Sequence, residues 1–287
     1  MLDHIGYRHH VLLVVSAGNT DMYDSKEQCP VGTLAYNVLT VGGIDTKNTD
    51  KFSDDKFHSS SCFGNGGTKG CAKPDCVAAF NDVLEESLDD FNEGTLAEGT
   101  LSYSGTSFAA PAVTGVCAQV LQTDPTLAFE PQVIKAIIMA SCDRKGSEDY
   151  ASGLTAKEGS GVVNAFKAIV IASTERYTKK LVFPYDNNPT KEIDFVKRES
   201  SSKIAICWLP PSSIYGDDLS GKVESNGNYD FNLSVYSSKD KLLKQSNVYN
   251  SSAEAVVFNS ENDTLELRFR EYYLYTNSAY EIGIAWY

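Results

Sequence analysis
The run VLLVV, Val11 to Val15, is apolar without interruption and mostly β-branched. A strand with one wet face alternates apolar and polar side chains. This run does not alternate, so it reads as a strand buried on both faces of a parallel sheet. It ends in SAGNT, a loop signal. VLTVGGI, Val38 to Ile44, is a second strand of the same kind. Three helices are expected further on. One runs from Ser107 to about Gln122 and is closed by TDP. PQVIKAIIMAS, Pro131 to Ser141, starts on a proline, which suits the first helical position, and has apolar residues at helical spacing. NAFKAIVIA, Asn164 to Ala172, is the third. Buried strands that alternate with helices indicate an α/β domain with a parallel sheet. Between Asp45 and Gly99 the chain reads as polar and loop-rich.

After about Tyr177 the pattern changes. KIAICWL, YDFNLSVYS, AEAVVFN, TLELRFREYYLY and YEIGIAWY are strand-like, and SNGN and NSEND separate them as turns. Such a series predicts an antiparallel β-sandwich. The expected division is an α/β domain over 1–178, a linker over 179–192 containing FPYDNNPTK, and a β-sandwich domain over 193–287. A chain of 287 residues accommodates two domains. No internal repeat occurs.

The net charge of −13 argues against a nucleic-acid or anionic-membrane partner. No apolar run approaches the ~20 residues of a membrane span. The opening MLDHIGYRHH lacks the apolar core of a signal peptide, so a secretory address would have to lie upstream or have been removed. Cysteines stand at 29, 62, 71, 76, 117, 142 and 207. Three of them cluster in SSCFGNGGTKGCAKPDC, where the absence of a Cys-x-x-Cys pair favours a disulfide-bearing loop over a metal site. Cys117, inside an apolar helix, reads as a core residue. No cofactor or metal motif is found, and no residue set can be assigned to calcium.

The chemistry concentrates in YSGTSFAAPAVTG, Tyr103 to Gly115. A helix N-terminus presents unpaired N–H groups and a partial positive charge. A serine there is usually a cap. It can also be the nucleophile of acyl transfer, with its own N–H facing the developing oxyanion. Gly105 permits a sharp turn, and Ala109 and Ala110 allow close packing. The string resembles the serine signature of the subtilisin-like serine peptidases, the subtilases. That resemblance implies Ser107 as the nucleophile. VVSAGN is similar to the family's strand and turn bearing the oxyanion asparagine, which falls on Asn19. CPVGTLAYNVLTVGGID, KPDCVAAF and GSGVVNAFKAI resemble further family segments in the family's order, so the likeness extends from about residue 8 to 175. Ala79-Phe80 departs from it, because a Pro-Gly turn is usual there. The resemblance implies a partial three-layer, parallel-sheet subtilase domain and polypeptide substrates.

A subtilase also needs a histidine base and an aspartate to orient it. In the family both precede the oxyanion asparagine, in His-Gly and Asp-Thr/Ser-Gly turns. Only 18 residues precede Asn19 here. His4, His9, His10 and His58 are never followed by glycine, and no Asp-Thr/Ser-Gly string occurs. Asp3 and His4 read as decoration of the helix before the first strand. The catalytic His and Asp are thus expected to be absent from the chain. It reads as the C-terminal part of a longer or cleaved protease, as a truncated gene product, or as a non-catalytic subtilase-like binding protein. The missing N-terminal part of the catalytic domain, or a propeptide, is the expected partner. The C-terminal half resembles the small β-sandwich that follows many secreted peptidase domains. Asn232, Asn250 and Asn262 each open an Asn-x-Ser/Thr sequon, which suggests a glycosylated, secreted or endomembrane protein.

Overall fold
The structure is a computed structural model. It describes residues 1–20, 35–47, 49, 51–64, 73–89, 96–143, 154–182, 190–196, 201–214, 223–225, 231–237, 241–248, 251–259, 264–271 and 280–287. Helix α1 (Leu2–His9) leads into strand β1 (Leu13–Ser16). Strand β2 (Val38–Asp45) pairs in parallel with β1 and with β4 (Cys76–Ala79). The short β3 (Lys56–Phe57) adds antiparallel at the end of β2. Strand β2 is buried along nearly its whole length, as VLTVGGI predicts. Strand β1 departs from expectation. Its residues are only half-buried, because β2 is its sole strand partner among the described residues and its outer edge carries none. Continuous apolarity reports two covered faces, not two covered edges.

The acidic run is a second departure. Asn81–Asp89 (β5) and Leu96–Ser104 (β6) form an antiparallel hairpin where loop was expected. Residues 90–95 lie outside the described residues. The hairpin leads directly into α2 (Thr106–Thr123), which packs on β1, β2 and β4. Helix α2 buries Ala109, Ala110, Val113, Cys117 and Val120, while Pro111, Ala112, Gly115 and Ala118 are exposed. Cys117 is a core residue, as expected.

Helix α3 (Pro131–Ser141) is buried at every position, Gln132 and Lys135 included. Helix α4 (Ala165–Ser173) starts at Asn164, whose side chain accepts from Lys167 N–H at 3.0 Å and so caps the first turn. Beyond it lie two four-stranded antiparallel sheets. One has the order β13 (Leu242–Ser246), β12 (Phe231–Ser237), β15 (Thr264–Glu271), β8 (Thr190–Val196). The other has the order β14 (Ala253–Asn259), β9 (Ser201–Trp208), β16 (Tyr280–Trp286), β7 (Tyr177–Val182). Two short strands, β10 (Ser212–Ile214) and β11 (Val223–Ser225), form a side ribbon. Strand β7 pairs with β16 and overlaps the start of the expected linker.

The second sheet has two unlike faces. Ile204, Ile206, Trp208, Val256, Phe258, Ile282 and Ile284 join Phe231, Leu233 and Leu267 of the other sheet in one core. Ala205, Cys207, Ala253, Ala255 and Ala285 belong instead to the core around α3. The period-two alternation of a strand thus sorts large residues to one side and small ones to the other. The small face lets the helix lie close. A β-carbon at Gly283 would stand 2.5 Å from the backbone of Gln132.

The cysteines correct the disulfide expectation. Cys62 and Cys76 form no disulfide with each other and have no exposed surface, as core residues do; Cys71 lies outside the described residues. Asn232 is only 9% exposed on β12, a poor position for a glycan, and Asn250 and Asn262 lie outside the described residues. No helix among the described residues is long and apolar enough to cross a membrane.

Candidate active site
The C-terminal ends of β1 and β4 converge on the N-terminus of α2. Open α/β sheets generally place their ligand sites at the C-terminal ends of parallel strands. Gly105 is the residue before α2, at φ 150°. Its N–H donates to Phe80 O at 2.9 Å, which anchors the turn to the end of β4. Its missing side chain matters, since a β-carbon there would stand 3.1 Å from Asn19 Nδ2. Ser107 follows in the first turn and is exposed.

Asn19 is held from the opposite side. Its Oδ1 accepts from both Thr106 N–H and Thr106 Oγ1, each at 3.0 Å. Thr106 Oγ1 in turn accepts from Gly18 N–H at 3.0 Å. Only an oxygen can accept from a backbone N–H, so the network assigns the amide orientation. With Oδ1 engaged, Nδ2 is the atom turned toward Gly105. The loop from Ser60 to Cys62 steadies Asn19 further: Thr20 N–H donates to Ser60 O at 2.8 Å and Cys62 N–H to Gly18 O at 2.9 Å. Asn19 Nδ2 and Ser107 N thus both border the space that a β-carbon at Gly105 would fill, at 3.1 and 3.7 Å. That is a donor set suited to a carbonyl oxygen that gains negative charge.

Sequence reasoning missed Thr106. Its signal was present, between the glycine and serine of SGTS, but the hydroxyl's partner Asn19 lies 87 positions away. It also left open the loop at Ala79-Phe80. There Phe80 N–H donates to Ile44 O at 2.8 Å, and its ring stacks on His58 with centroids 3.7 Å apart. His58 Nδ1 accepts from Ser60 N–H at 3.1 Å. His4 Nδ1 lies 3.1 Å from Ser212 O, and Asp3 accepts from Asn37 N–H at 2.6 Å. Both are therefore occupied near the N-terminal end of β2, at the far end of the sheet from Ser107. His9 and His10 are exposed at the end of α1.

Three of the described thiols are poor rivals to the serine. Burial pushes Cys117 and Cys207 up to about 12, and contact with Cys142, together with burial, raises Cys76 well above a normal thiol. Thiols held protonated are weak nucleophiles. No group of three or more His, Cys, Asp or Glu residues that could hold a metal occurs among the described residues.

At the opposite, N-terminal ends of β2 and β4 lies a buried charge cluster. Asp75 bonds Lys73 Nζ at 2.6 Å and Lys135 Nζ at 3.1 Å, and accepts from Thr40 N–H at 2.7 Å. Burial alone would raise its pKa, but the two ammonium groups and the hydrogen bonds hold it below the usual carboxylate range. Lys135 also donates to Val38 O at 3.0 Å and to Ser252 Oγ at 3.1 Å. Lys203, on β9, donates to Ser160 O, and to Cys142 O at 3.0 Å. Two buried lysines thus join the two-sheet half to the half that carries Ser107.

The sequence profile of the subtilase family, peptidase S8, matches residues 2–166. The chain belongs to the subtilase family. A relative among characterised subtilases is the serine protease AprX of Bacillus subtilis strain 168, 29% identical over 159 residues. The match takes in 52% of this chain and 35% of AprX. Solved structures similar to this subtilase include the prenylagaramide maturation protease PagA, at 24% identity and a TM-score of 0.40, over 58% of this chain and 52% of that one. The patellamide maturation protease PatA matches at 22% identity and a TM-score of 0.41, over 59% and 54%. This chain therefore spans about a third of AprX and about half of each of these structures.

Proposed function
We propose that this subtilase is the nucleophile-bearing part of a serine endopeptidase that hydrolyses polypeptides through an acyl-enzyme on Ser107. The observation that carries the reading is the clamp of Asn19 by Thr106 at the helix start. Ser107 Oγ attacks the substrate carbonyl carbon. The oxygen that becomes negative receives hydrogen bonds from Asn19 Nδ2 and Ser107 N–H. The base that takes the serine proton and the carboxylate that orients it come from polypeptide outside this chain, namely the N-terminal part of the catalytic domain. In this reading residues 1–178 are part of a three-layer subtilase domain, and the two C-terminal sheets form a β-sandwich that supports its folding. The complete protein is secreted or endomembrane.

The 287-residue chain alone is expected to show no peptidase activity. An oxyanion hole without its base leaves only residual catalysis. Robust hydrolysis of a peptide ester by the purified chain would contradict this. In the completed enzyme, Ser107→Ala abolishes turnover and labelling by a fluorophosphonate. Asn19→Ala lowers kcat and leaves KM nearly unchanged, since its bond forms mainly in the transition state. In subtilisin itself, losing such a donor costs about a hundred- to a thousandfold in rate. A completed protein that takes up no fluorophosphonate at Ser107 favours the non-catalytic binding protein instead.

The β5–β6 hairpin suggests a substrate preference. Its sequence from Asn81 to Glu98 carries seven acidic residues and no basic one, and β6 ends immediately before Gly105. Such a field concentrates basic peptides and weakens with salt. The completed enzyme should cleave lysine- and arginine-rich peptides faster than acidic ones at low salt, with the gap closing at high salt. Equal rates at low salt, or a gap that survives neutralisation of these carboxylates, would count against steering.

A further inference from the structure
Both arms of the site lean on one imidazole. The asparagine arm reaches it through Ser60. His58 Nδ1 accepts from Ser60 N–H at 3.1 Å, Ser60 O accepts from Thr20 N–H at 2.8 Å, and Thr20 follows Asn19. The serine arm reaches it through Phe80. The His58 ring stacks on the Phe80 ring with centroids 3.7 Å apart and an interplanar angle of 10°, and Phe80 O accepts from Gly105 N–H at 2.9 Å. The backbone of His58 is itself anchored: its N–H donates to Gly43 O at 3.0 Å and its carbonyl accepts from Ser61 N–H at 2.9 Å. His58 is half-buried, so its ring can exchange a proton with water.

We propose that His58 is a positioning residue for the oxyanion site and that it holds the asparagine arm only while its ring is neutral. The proposal rests on the acyl-enzyme reading of Ser107 and adds a regulation to it. A ring nitrogen that accepts from a backbone N–H carries no proton, so the network assigns the proton of the neutral ring to Nε2. Protonation adds a hydrogen at Nδ1. Two donors then face each other, the Ser60 bond is lost, and the turn that carries Ser60 O no longer fixes Thr20. An imidazole ordinarily takes this proton near about pH 6.5. Asp45, at the end of β2, is held below the usual carboxylate range by Lys47 first and by His58 to a lesser degree, so the carboxylate favours the charged ring. Lys56, exposed on β3 opposite Asp45, works against it. Phe80, Gly43, Ser60 and Ser61, which touch His58, carry no charge. The stack on Phe80 survives protonation, because a cation is also attracted to an aromatic face. Acid therefore releases the asparagine arm and spares the serine arm.

Amide hydrogen exchange in the full chain, read residue by residue by nuclear magnetic resonance at about pH 5 and about pH 8, tests this. After correction for intrinsic rates, protection at Ser60 and Thr20 should fall about fivefold or more from the higher pH to the lower. Ala17 N–H, bonded to Val41 O between β1 and β2, should keep its protection. His58→Asn supplies an oxygen that accepts from the same N–H two residues on and does not titrate in this range, so protection should be equal at both pH values. His58→Phe keeps a stacked ring without the acceptor and should leave Ser60 poorly protected at both. In the completed enzyme, His58→Phe should lower kcat about tenfold with KM nearly unchanged, and His58→Asn should restore it. Equal protection of Thr20 at both pH values in the wild type, or the same acid loss in His58→Asn, overturns the proposal, as does a kcat indifferent to His58→Phe. The exchange measurement needs no catalysis, so a completed protein that takes up no fluorophosphonate would count against the nucleophile and not against this turn.

Discussion
Asp75→Asn is expected to destabilise the folded chain by about 3–5 kcal/mol, the cost of stranding a buried charge without its partner. Lys73, Lys135 and Asp75 are all at most 5% exposed. In the wild type the carboxylate offsets the two ammonium groups and receives Thr40 N–H. The amide keeps the shape, so packing changes little, but both lysines then sit in a low-dielectric interior without the carboxylate they share. The same variant separates charge from shape through pH. The folded-state pKa of Asp75 lies below its unfolded value. Its stabilisation is therefore complete at neutral pH and is lost as the pH falls from the ordinary carboxylate range through the folded value. Chemical denaturation at a series of pH values should show the gap between wild type and variant shrinking toward acid. A constant gap would mean that Asp75 matters for its shape alone.

Gly283→Val is the second large effect. Any β-carbon at 283 meets Gln132 C and O at 2.5 Å and Val133 N at 2.6 Å, all backbone atoms of the first turn of α3. Backbone atoms cannot rotate away as a flexible side chain does, so β16 and α3 must separate. Overpacking of this kind costs about 1–3 kcal/mol and occasionally more. The loss also propagates, because Ala205, Cys207, Ala253, Ala255 and Ala285 pack on the same helix and would lose contact together. Gly283→Ala should already lower the melting temperature, with Val lower still. A melting temperature unchanged by Gly283→Ala would show that the sheet can retreat from the helix at little cost.

The sequence disclosed those features whose signal is local. Helices α2, α3 and α4 lie within a residue or so of expectation, because Gly105, Pro131 and Asn164 are start signals in their own right. The helix-start serine of SGTS and the turn asparagine after VVS were legible for the same reason. What stayed hidden depends on distant partners. Nothing in VLLVV states that its outer edge is unpaired among the described residues. The acidic run does not state that Asn81–Asp89 finds its partner in Leu96–Ser104. Asp75 looked like part of a family string, yet Lys135 lies 60 positions along the chain, and the pair exists only in three dimensions. Alanines and a glycine within the C-terminal strands gave no hint that they face a helix rather than solvent.

That small-residue face bears on how the protein can be handled. The boundary near Tyr177 looks from the sequence like a place to cut, yet α3 is wrapped on one side by β9 and β16 and on the other by α2 and α4. A product ending at 176 would leave the apolar flank of α3 open to water and strip Lys135 of its Ser252 contact. Such a product should aggregate rather than fold. The intact chain should melt in one step, as a single cooperative unit that the sequence presents as two.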